Sequence, residues 1–206
     1  MLQSSFDEQD IVRIVNDLII AAADTTSYST LWTIYLLSLR NQNPEITGKF
    51  PTLDSHEIKN ACREAMRLYP VAPFLTRIQQ SPLEFDGYSI ESGQLILISI
   101  YAMGRNSDYF PDPDKFDPDR WIRNTKTGKL HGVRHGFASL PFSFGPRSCI
   151  GKELAKNQME YLISSLFRDF DVQVLNDHPV QMEMRLIGLP ESTIRLRLKK
   201  KLNFIF

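Results

Sequence analysis

Cysteine is scarce in this chain of 206 residues, in which only Cys62 and Cys149 are present. Two cysteines imply no disulfide framework, so we expect a single hydrophobic core to supply the stability, and a reducing compartment fits. An excess of charge of one sign is also lacking, because 24 basic residues balance 24 acidic ones. Without a basic footprint, nucleic acid is excluded as an expected partner.

Long hydrophobic runs are absent as well. The apolar segment 18–23 is far shorter than the about 20 residues that cross a bilayer, and no secretory signal peptide is present. We expect the start of the chain to be truncated, so this absence carries little weight. What is present is an ordinary globular composition, since 42% hydrophobic residues are enough for a sizeable core.

Three helices are predicted, the first of them from the spacing of apolar residues. Over residues 10–39 they recur almost all round the helix, which predicts one long helix buried at the centre of the fold. A second helix is expected over residues 55–69, because Asp54 can cap its start and Pro70 ends it. A third is expected over residues 152–170.

The remaining apolar runs are short and alternate with polar residues, which is typical of strands. They lie at residues 74–78, 83–90 (with a turn at 86–87), 95–100, 172–175, 182–187 and 193–198. Prolines and aspartates prevent regular structure over much of residues 108–121. The predicted fold is therefore mainly α with small β-sheets, in the α+β class.

The most informative segment is residues 142–151, FSFGPRSCIG, directly before the third predicted helix. Its residues fit a cysteine that holds a haem iron as a thiolate. Gly145 would let the backbone approach a flat macrocycle, and Arg147 would offer a positive fork to a haem propionate. Cys149 would lie at the positive end of the helix, and Gly151 would let that helix pack on the ring. The alternative is a buried structural cysteine after a glycine turn.

Asp24, Thr25 and Thr26 interrupt the apolar surface of the first predicted helix. A threonine hydroxyl can bond the carbonyl group one turn back and loosen the helical ladder there. This pattern fits a local opening beside bound O2, where Asp24 and Thr25 relay protons. An internal N-cap between two shorter helices fits it equally well.

Three arginines are candidates for fixed electrostatic roles. Glu64 and Arg67 are opposite charges on one face of the second helix, and Arg120 could be the third member of a buried cluster. Taken alone, the Glu64–Arg67 pair is more typical of an exposed salt bridge. Arg77 follows an apolar run at residues 71–75, and it either reaches a second haem propionate or is an exposed cation on an edge strand.

The order and spacing of these motifs together resemble the cytochrome P450 family. The pattern runs from the acid–threonine pair through Glu-x-x-Arg and Pro-x-Arg-Trp to Phe-x-x-Gly-x-Arg-x-Cys-x-Gly, and it covers almost the whole chain. The resemblance implies the C-terminal part of that fold, as a single partial domain over residues 1–206 that lacks the N-terminal half. It also implies a haem-thiolate monooxygenase with haem b, iron protoporphyrin IX, as cofactor.

The resemblance assigns a role to each motif. Asp24 and Thr25 match the oxygen-activation pair of the family, and segments 71–75 and 187–189 fall where members contact substrate. Cys149 matches the axial ligand of the iron. The other residues that match haem-binding positions are Phe142, Gly145, Arg147, Gly151 and Arg77. The residues that match the structural triad bracing the haem-binding core are Glu64, Arg67 and Arg120.

Finer features resemble the mitochondrial branch of animals, which includes sterol and steroid hydroxylases. They are the segments SIYAMGR at residues 99–105 and ASLPF at residues 138–142. Lys59 and Arg63 match the basic pair that docks an acidic, adrenodoxin-like ferredoxin, and their i,i+4 spacing puts them on one face.

The segment 69–77 and the tail 175–198 are similar to arthropod ecdysteroid 2-hydroxylases. These resemblances imply hydroxylation of a steroid-like lipophilic substrate with O2 and electrons from the ferredoxin. They also imply a location on the matrix side of the mitochondrial inner membrane.

The chain departs from the family pattern in three respects. Family members are more than twice this length, and the connection from Thr25 to Glu64 is short for the helices that lie there in the family. Ala22 stands where the family has glycine, and Lys152 and Glu153 stand where the branch has an arginine pair. Two alternatives stay open: an endoplasmic-reticulum monooxygenase fed by a flavoprotein reductase, and an inactive truncated product that exposes apolar surface on residues 11–36.

Overall fold

The computed structural model of the protein describes residues 7–43 and 54–201. The helices in these ranges are α1 (Glu8–Gln42), α2 (Ser55–Leu68), α3 (Ile100–Gly104) and α4 (Lys152–Asp169). The strands are β1 (Phe74–Ile78), β2 (Leu83–Phe85), β3 (Tyr88–Ile90), β4 (Leu95–Ser99), β5 (Phe170–Val174), β6 (Met182–Met184), β7 (Gly188–Pro190) and β8 (Leu196–Lys200). Short 3-10 helices lie at Pro118–Trp121 and Gly145–Arg147. The predicted class, mainly α with small sheets, is confirmed.

The described strands form four separate antiparallel pairs, β1–β4, β2–β3, β5–β8 and β6–β7. The β2–β3 hairpin turns at Asp86 and Gly87, both in the left-handed region with φ of 49° and 80°, as the predicted turn requires. The single strand predicted over residues 182–187 is wrong, because the chain reverses after Met184 and returns as β7. Helix α3 was not predicted, since five residues are too few to show a helical period.

Helix α1 is continuous and slightly longer than predicted. Its expected central burial is correct only for the second half, where Trp32, Tyr35 and Leu37 are at most 1% exposed. In the first half, Ile19 and Ile20 are 62% and 74% exposed. The prediction fails there because apolar periodicity shows that a face can be buried, whereas burial needs neighbours. In the described residues, α2, α4 and β5 pack against α1.

Helices α2 and α4 pack together with the second half of α1 to form the core beneath the cysteine segment. Asp54 and Glu57 form a capping box, in which each side chain accepts a hydrogen bond from the other residue's backbone N–H, so α2 begins at the predicted residue. Ile58 and Ala61 of α2 and Ile163 of α4 are fully or almost fully buried in this core. The packing anchors the loop that immediately precedes α4.

None of the helices among residues 7–43 and 54–201 combines the length and the apolar character needed to cross a membrane.

Candidate active site

The cysteine loop, residues 142–151, is folded by backbone hydrogen bonds. The N–H of Cys149 donates to the carbonyl oxygen of Phe142 at 2.9 Å, and that of Ser148 donates to the carbonyl oxygen of Gly145 at 3.0 Å. Gly145 has a φ of +75°, which glycine adopts without steric cost. A Cβ built at Gly145 would meet no described atom within 4 Å, so this face of the loop is open to the approach of a flat ring.

A cavity of about 390 Å³ is lined by the cysteine loop, α1, and the start of α4. Cys149 and Arg147 line it from the loop, and Thr25 lines it from α1. Most of the remaining lining is apolar and consists of Leu18, Ala21, Ala22, Met66, Pro70, Val71, Ala72, Leu75, Pro141, Phe142, Ile150, Leu154, Ala155 and Met159. The cavity therefore offers a sulfur ligand and a cation within a hydrophobic slot.

The residues of this cavity fit haem b. Cys149 is exposed at the cavity wall, whereas the structural-cysteine alternative requires burial. A Cβ on Gly151 would have one described atom within 4 Å, the Sγ of Cys149 at 4.0 Å, so the protein leaves space beside the thiol. Thiolate sulfur is a ligand for haem iron, and the Arg147 guanidinium matches the geometry of a propionate carboxylate.

Thr25 and Asp24 lie differently with respect to the cavity. Thr25 lines it, and its hydroxyl donates to the carbonyl oxygen of Ala21 at 2.8 Å, which is the bond expected one turn back. Asp24 is exposed and is not among the lining residues. Helix α1 is continuous through both residues, so the alternative of an internal N-cap between two shorter helices is wrong. The predicted local opening of the helix beside these residues does not interrupt α1.

Glu64, Arg67 and Arg120 meet in the interior, and their exposures are 0%, 1% and 2%. Arg67 donates through Nε and Nη2 to the two carboxylate oxygens of Glu64 at 2.9 and 2.7 Å. The Nε of Arg120 donates to Glu64 Oε1 at 2.8 Å. The Glu64–Arg67 pair is thus buried, and Arg120 is a third charged member of the cluster. The prediction of an exposed salt bridge, which the spacing alone favours, is wrong.

Sequence reasoning missed several residues around this carboxylate and its two arginine partners. The indole Nε1 of Trp121 donates to Glu64 Oε2 at 2.9 Å, and the backbone N–H of Asp117 donates to Oε1 at 3.1 Å. The carbonyl groups of Gly104 and Gly132 accept hydrogen bonds from Arg67 and Arg120. Only Trp121 carried a signal, because a buried indole N–H needs an acceptor.

Arg77 lies on β1 and extends toward the cysteine loop. Its Nη2 donates to the Oγ of Ser143 at 3.2 Å, and its Nη1 donates to the carbonyl oxygen of Thr76 at 2.7 Å. Ser143 lines the cavity, whereas Arg77 is exposed and is not among the lining residues. The structure therefore brings Arg77 to the loop that carries Cys149, as a role in haem binding requires.

Lys59 and Arg63 lie on the exposed side of α2. The Nζ of Lys59 is 3.7 Å from a carboxylate oxygen of Glu160, and Arg63 lies over the ring of Trp121 at 5.0 Å. Partial burial lowers the pKa of the Arg63 guanidinium, and the like charge of Arg123 lowers it further. The two predicted docking residues thus share a face, although Lys59 has a carboxylate partner within the protein.

The two predicted substrate-contact segments differ in position. Val71, Ala72 and Leu75 line the cavity. Ile187 packs against the core instead, and the N–H of Gly188 donates to the carbonyl oxygen of Val71 at 2.9 Å. Segment 187–189 is therefore joined to the cavity wall by a backbone contact and is not part of its lining.

Cys62 has a different environment from Cys149. It is 5% exposed, in the core between α1, α2 and α4. Burial raises the pKa of its thiol to about 12, and the carboxylate of Glu160 adds to the shift. Because the thiolate is the metal ligand and the nucleophile, Cys62 is inert at neutral pH, which leaves Cys149 as the cysteine suited to hold iron.

Comparisons with known proteins agree with this geometry. The family model for Cytochrome P450 matches residues 58–198. The protein Cytochrome P450 315a1, mitochondrial, of Drosophila melanogaster is 35% identical over 93% of this chain and 36% of its own length. Sterol 26-hydroxylase, mitochondrial, of Rattus norvegicus is 32% identical over 92% of this chain and 38% of its own length.

Solved structures show the same fold. The crystal structure of the cytochrome P450DA heme domain superposes with a TM-score of 0.79 at 24% identity, over 96% of this chain and 45% of that one. The predicted C-terminal part of this fold is thereby confirmed. The predicted mitochondrial branch is also confirmed, since these curated relatives carry mitochondrial names. The chain spans little more than a third of the length of those relatives.

Proposed function

Because the chain belongs to the cytochrome P450 family, we propose that it is the C-terminal part of a haem-thiolate monooxygenase that hydroxylates a steroid-like substrate. Residues 1–206 then form one partial domain, and the full-length form is the longer protein that contains it. The observation that carries the proposal is that Cys149 and Arg147 of the cysteine loop and Thr25 of α1, more than 100 positions earlier in the chain, line one apolar cavity.

Cys149 holds the iron in this proposal, and the other haem-binding residues position and orient the ring. Gly145 and Gly151 leave the space that the ring needs, and Phe142 contributes an apolar wall. Arg147 and Arg77 neutralise the two propionates as charge-assisted partners. Haem, when bound, supplies the oxygen activation and the oxidising chemistry, which protein side chains lack.

In this proposal, an apolar surface that suits the substrate and a pair of residues that pass protons lie at different parts of the site. Val71, Ala72 and Leu75 offer an apolar surface that excludes water and suits a lipophilic substrate. Thr25 and Asp24 hold and pass protons, Thr25 at the cavity wall and Asp24 from the solvent-exposed side of α1. This division matches a reaction that consumes protons next to an apolar substrate.

The substrate class and the electron donor are carried over from the relatives. The names of two relatives state sterol 26-hydroxylase and 25-hydroxyvitamin D-1 alpha hydroxylase activities, and another relative is from a fly. We propose a steroid, such as an ecdysteroid, as substrate, and an acidic ferredoxin docked by Lys59 and Arg63. The full-length form would then work on the matrix side of the mitochondrial inner membrane.

The full-length form with Cys149→Ala tests the site. We expect the variant to lose the absorption that marks a thiolate ligand on haem iron, while Cys62→Ala, which removes the buried thiol, keeps it. A thiolate spectrum that survives in Cys149→Ala would overturn the assignment. Hydroxylation of a steroid that depends on an added ferredoxin, and not on a flavoprotein reductase, tests the proposed partner.

A further inference from the structure

Ser143, in the cysteine loop, has a backbone conformation that serine rarely adopts. Its φ is +57°, in the left-handed region where a side chain is strained. The other non-glycine residues with positive φ in the described ranges are Asp86 and Asp112, and aspartate tolerates this region better. Glycine would adopt the Ser143 conformation without strain, so the hydroxyl group requires an explanation.

The hydroxyl of Ser143 is engaged by a residue far away in the sequence. Its Oγ accepts a hydrogen bond from Arg77 Nη2 at 3.2 Å, across 66 positions of the chain. Ser143 is half-buried and lines the cavity that holds Cys149, whereas Arg77 is exposed. The contact therefore ties the strand that carries Arg77 to the rim of the cavity.

This arrangement leaves donors for an anion. A guanidinium has five N–H groups, and the contacts to Ser143 and Thr76 each occupy one nitrogen of Arg77. The Ser143 hydroxyl accepts from Arg77, so its own hydrogen is available to donate to a second group. A carboxylate at this rim would receive hydrogen bonds from both side chains.

We propose that Ser143 is a positioning residue that orients Arg77 and, together with it, binds one propionate carboxylate of the haem. The inference rests on the proposed haem binding and deepens it by naming a second donor to the propionate. The strained backbone at Ser143 is retained because glycine, which would relieve the strain, cannot supply the hydroxyl. The ligand class is a carboxylate at the edge of an otherwise apolar macrocycle.

The test uses the haem-loaded full-length form with Ser143→Gly, Ser143→Ala and the control Ser148→Ala, which removes an exposed hydroxyl from the same loop. The readout is the rate of haem transfer to excess apomyoglobin, measured with haem and with its dimethyl ester. We expect both Ser143 variants to lose haem about tenfold faster than the unsubstituted protein, the effect of one hydrogen bond to a charged group. Ser148→Ala should lose haem at the unsubstituted rate.

The dimethyl ester separates propionate binding from a structural effect. Esterification removes the negative charge and leaves a weaker carbonyl acceptor, so the difference between the Ser143 variants and the unsubstituted protein should be much smaller with the ester than with haem. An equal acceleration with the ester, or an unsubstituted rate in Ser143→Gly, would overturn the inference and leave the proposed function standing. If the unsubstituted full-length form takes up no haem, the proposed function and the inference both fail.

Discussion

The indole Nε1 of Trp121 donates a hydrogen bond of 2.9 Å to Oε2 of Glu64, 57 positions earlier in the chain. The same carboxylate accepts hydrogen bonds from Arg67, Arg120 and the backbone of Asp117. Its lone pairs are thus saturated, as a buried charge requires. This cluster joins α2 to the 3-10 helix at Pro118–Trp121, and α2 packs in turn against α4, which follows the cysteine loop.

Substitution of Glu64 is expected to destabilise the protein severely. Glu64→Gln removes the anion and leaves Arg67 and Arg120 buried without a counter-charge, which costs about 3–5 kcal/mol in comparable clusters. Urea unfolding of the full-length form measures the effect. The control is Glu153→Gln, because Glu153 pairs with Lys156 on the surface of α4 and is 74% exposed. Equal stability of the two variants would contradict the role of Glu64.

Gly132→Ala tests the fit around Arg120. A Cβ at Gly132 would lie 2.5 Å from the Cβ of Arg120, so one backbone segment must shift. Overpacking of this kind costs about 1–3 kcal/mol. Gly136→Ala is the matched control, since a Cβ there meets no described atom within 4 Å and the φ of Gly136 is not in the left-handed region. A thermal unfolding midpoint lowered only in Gly132→Ala is the expected result.

The two cysteines should differ in reactivity. After haem is extracted from the full-length form, iodoacetamide in mildly alkaline buffer should alkylate Cys149, which is exposed at the cavity wall. Cys62 should stay unmodified until denaturant is added, because its pKa is raised to about 12 and reagent cannot reach it. Peptide mass mapping identifies the labelled site, and labelling of Cys62 before Cys149 would refute the interpretation.

The raised pKa of Cys62 also predicts a dependence of stability on pH. The unfolded chain loses the Cys62 proton near pH 9.0, whereas the folded protein keeps it to about 12. Between these values the folded state binds more protons, so the free energy of unfolding falls as the pH rises. Below the lower value this contribution is complete. Cys62→Ala should flatten the fall, and an unchanged slope would count against a buried neutral thiol.

The docking face of α2 is expected to act electrostatically. Arg63→Gln removes a charge that lies over Trp121 and has no carboxylate partner among the described residues. We expect the concentration of ferredoxin needed for half-maximal turnover to rise several-fold, with a weaker dependence on salt. Lys199→Gln, in an exposed lysine of β8, is the control and should leave both quantities unchanged. Identical behaviour of the two variants would exclude Arg63 from docking.

Local signals in the sequence were enough for most of the secondary structure. The capping box at Asp54 and Glu57, the left-handed turn at Asp86 and Gly87, and the helix after the cysteine loop all act over a few residues. Such signals can be recognised without the tertiary structure, because helix caps and turns depend on residues that are near neighbours in the chain. Two exceptions were residues 182–187, where a hairpin reversal interrupts a run that has the pattern of one strand, and helix α3, which is too short to show a helical period.

For the candidate site too, local features could be predicted from the sequence and long-range contacts could not. The sequence by itself determined that Cys149 follows a glycine-containing turn and precedes a helix, since these features lie within ten residues. Only the tertiary structure decided that Glu64 is buried, that Trp121 donates to its carboxylate, and that two glycines lie against its arginine partners. The contact between Arg77 and Ser143 was likewise decided by the tertiary structure. It also decided that α1 is buried over one half alone. Burial and long-range hydrogen bonds depend on which distant segments pack together, and no local pattern encodes that choice.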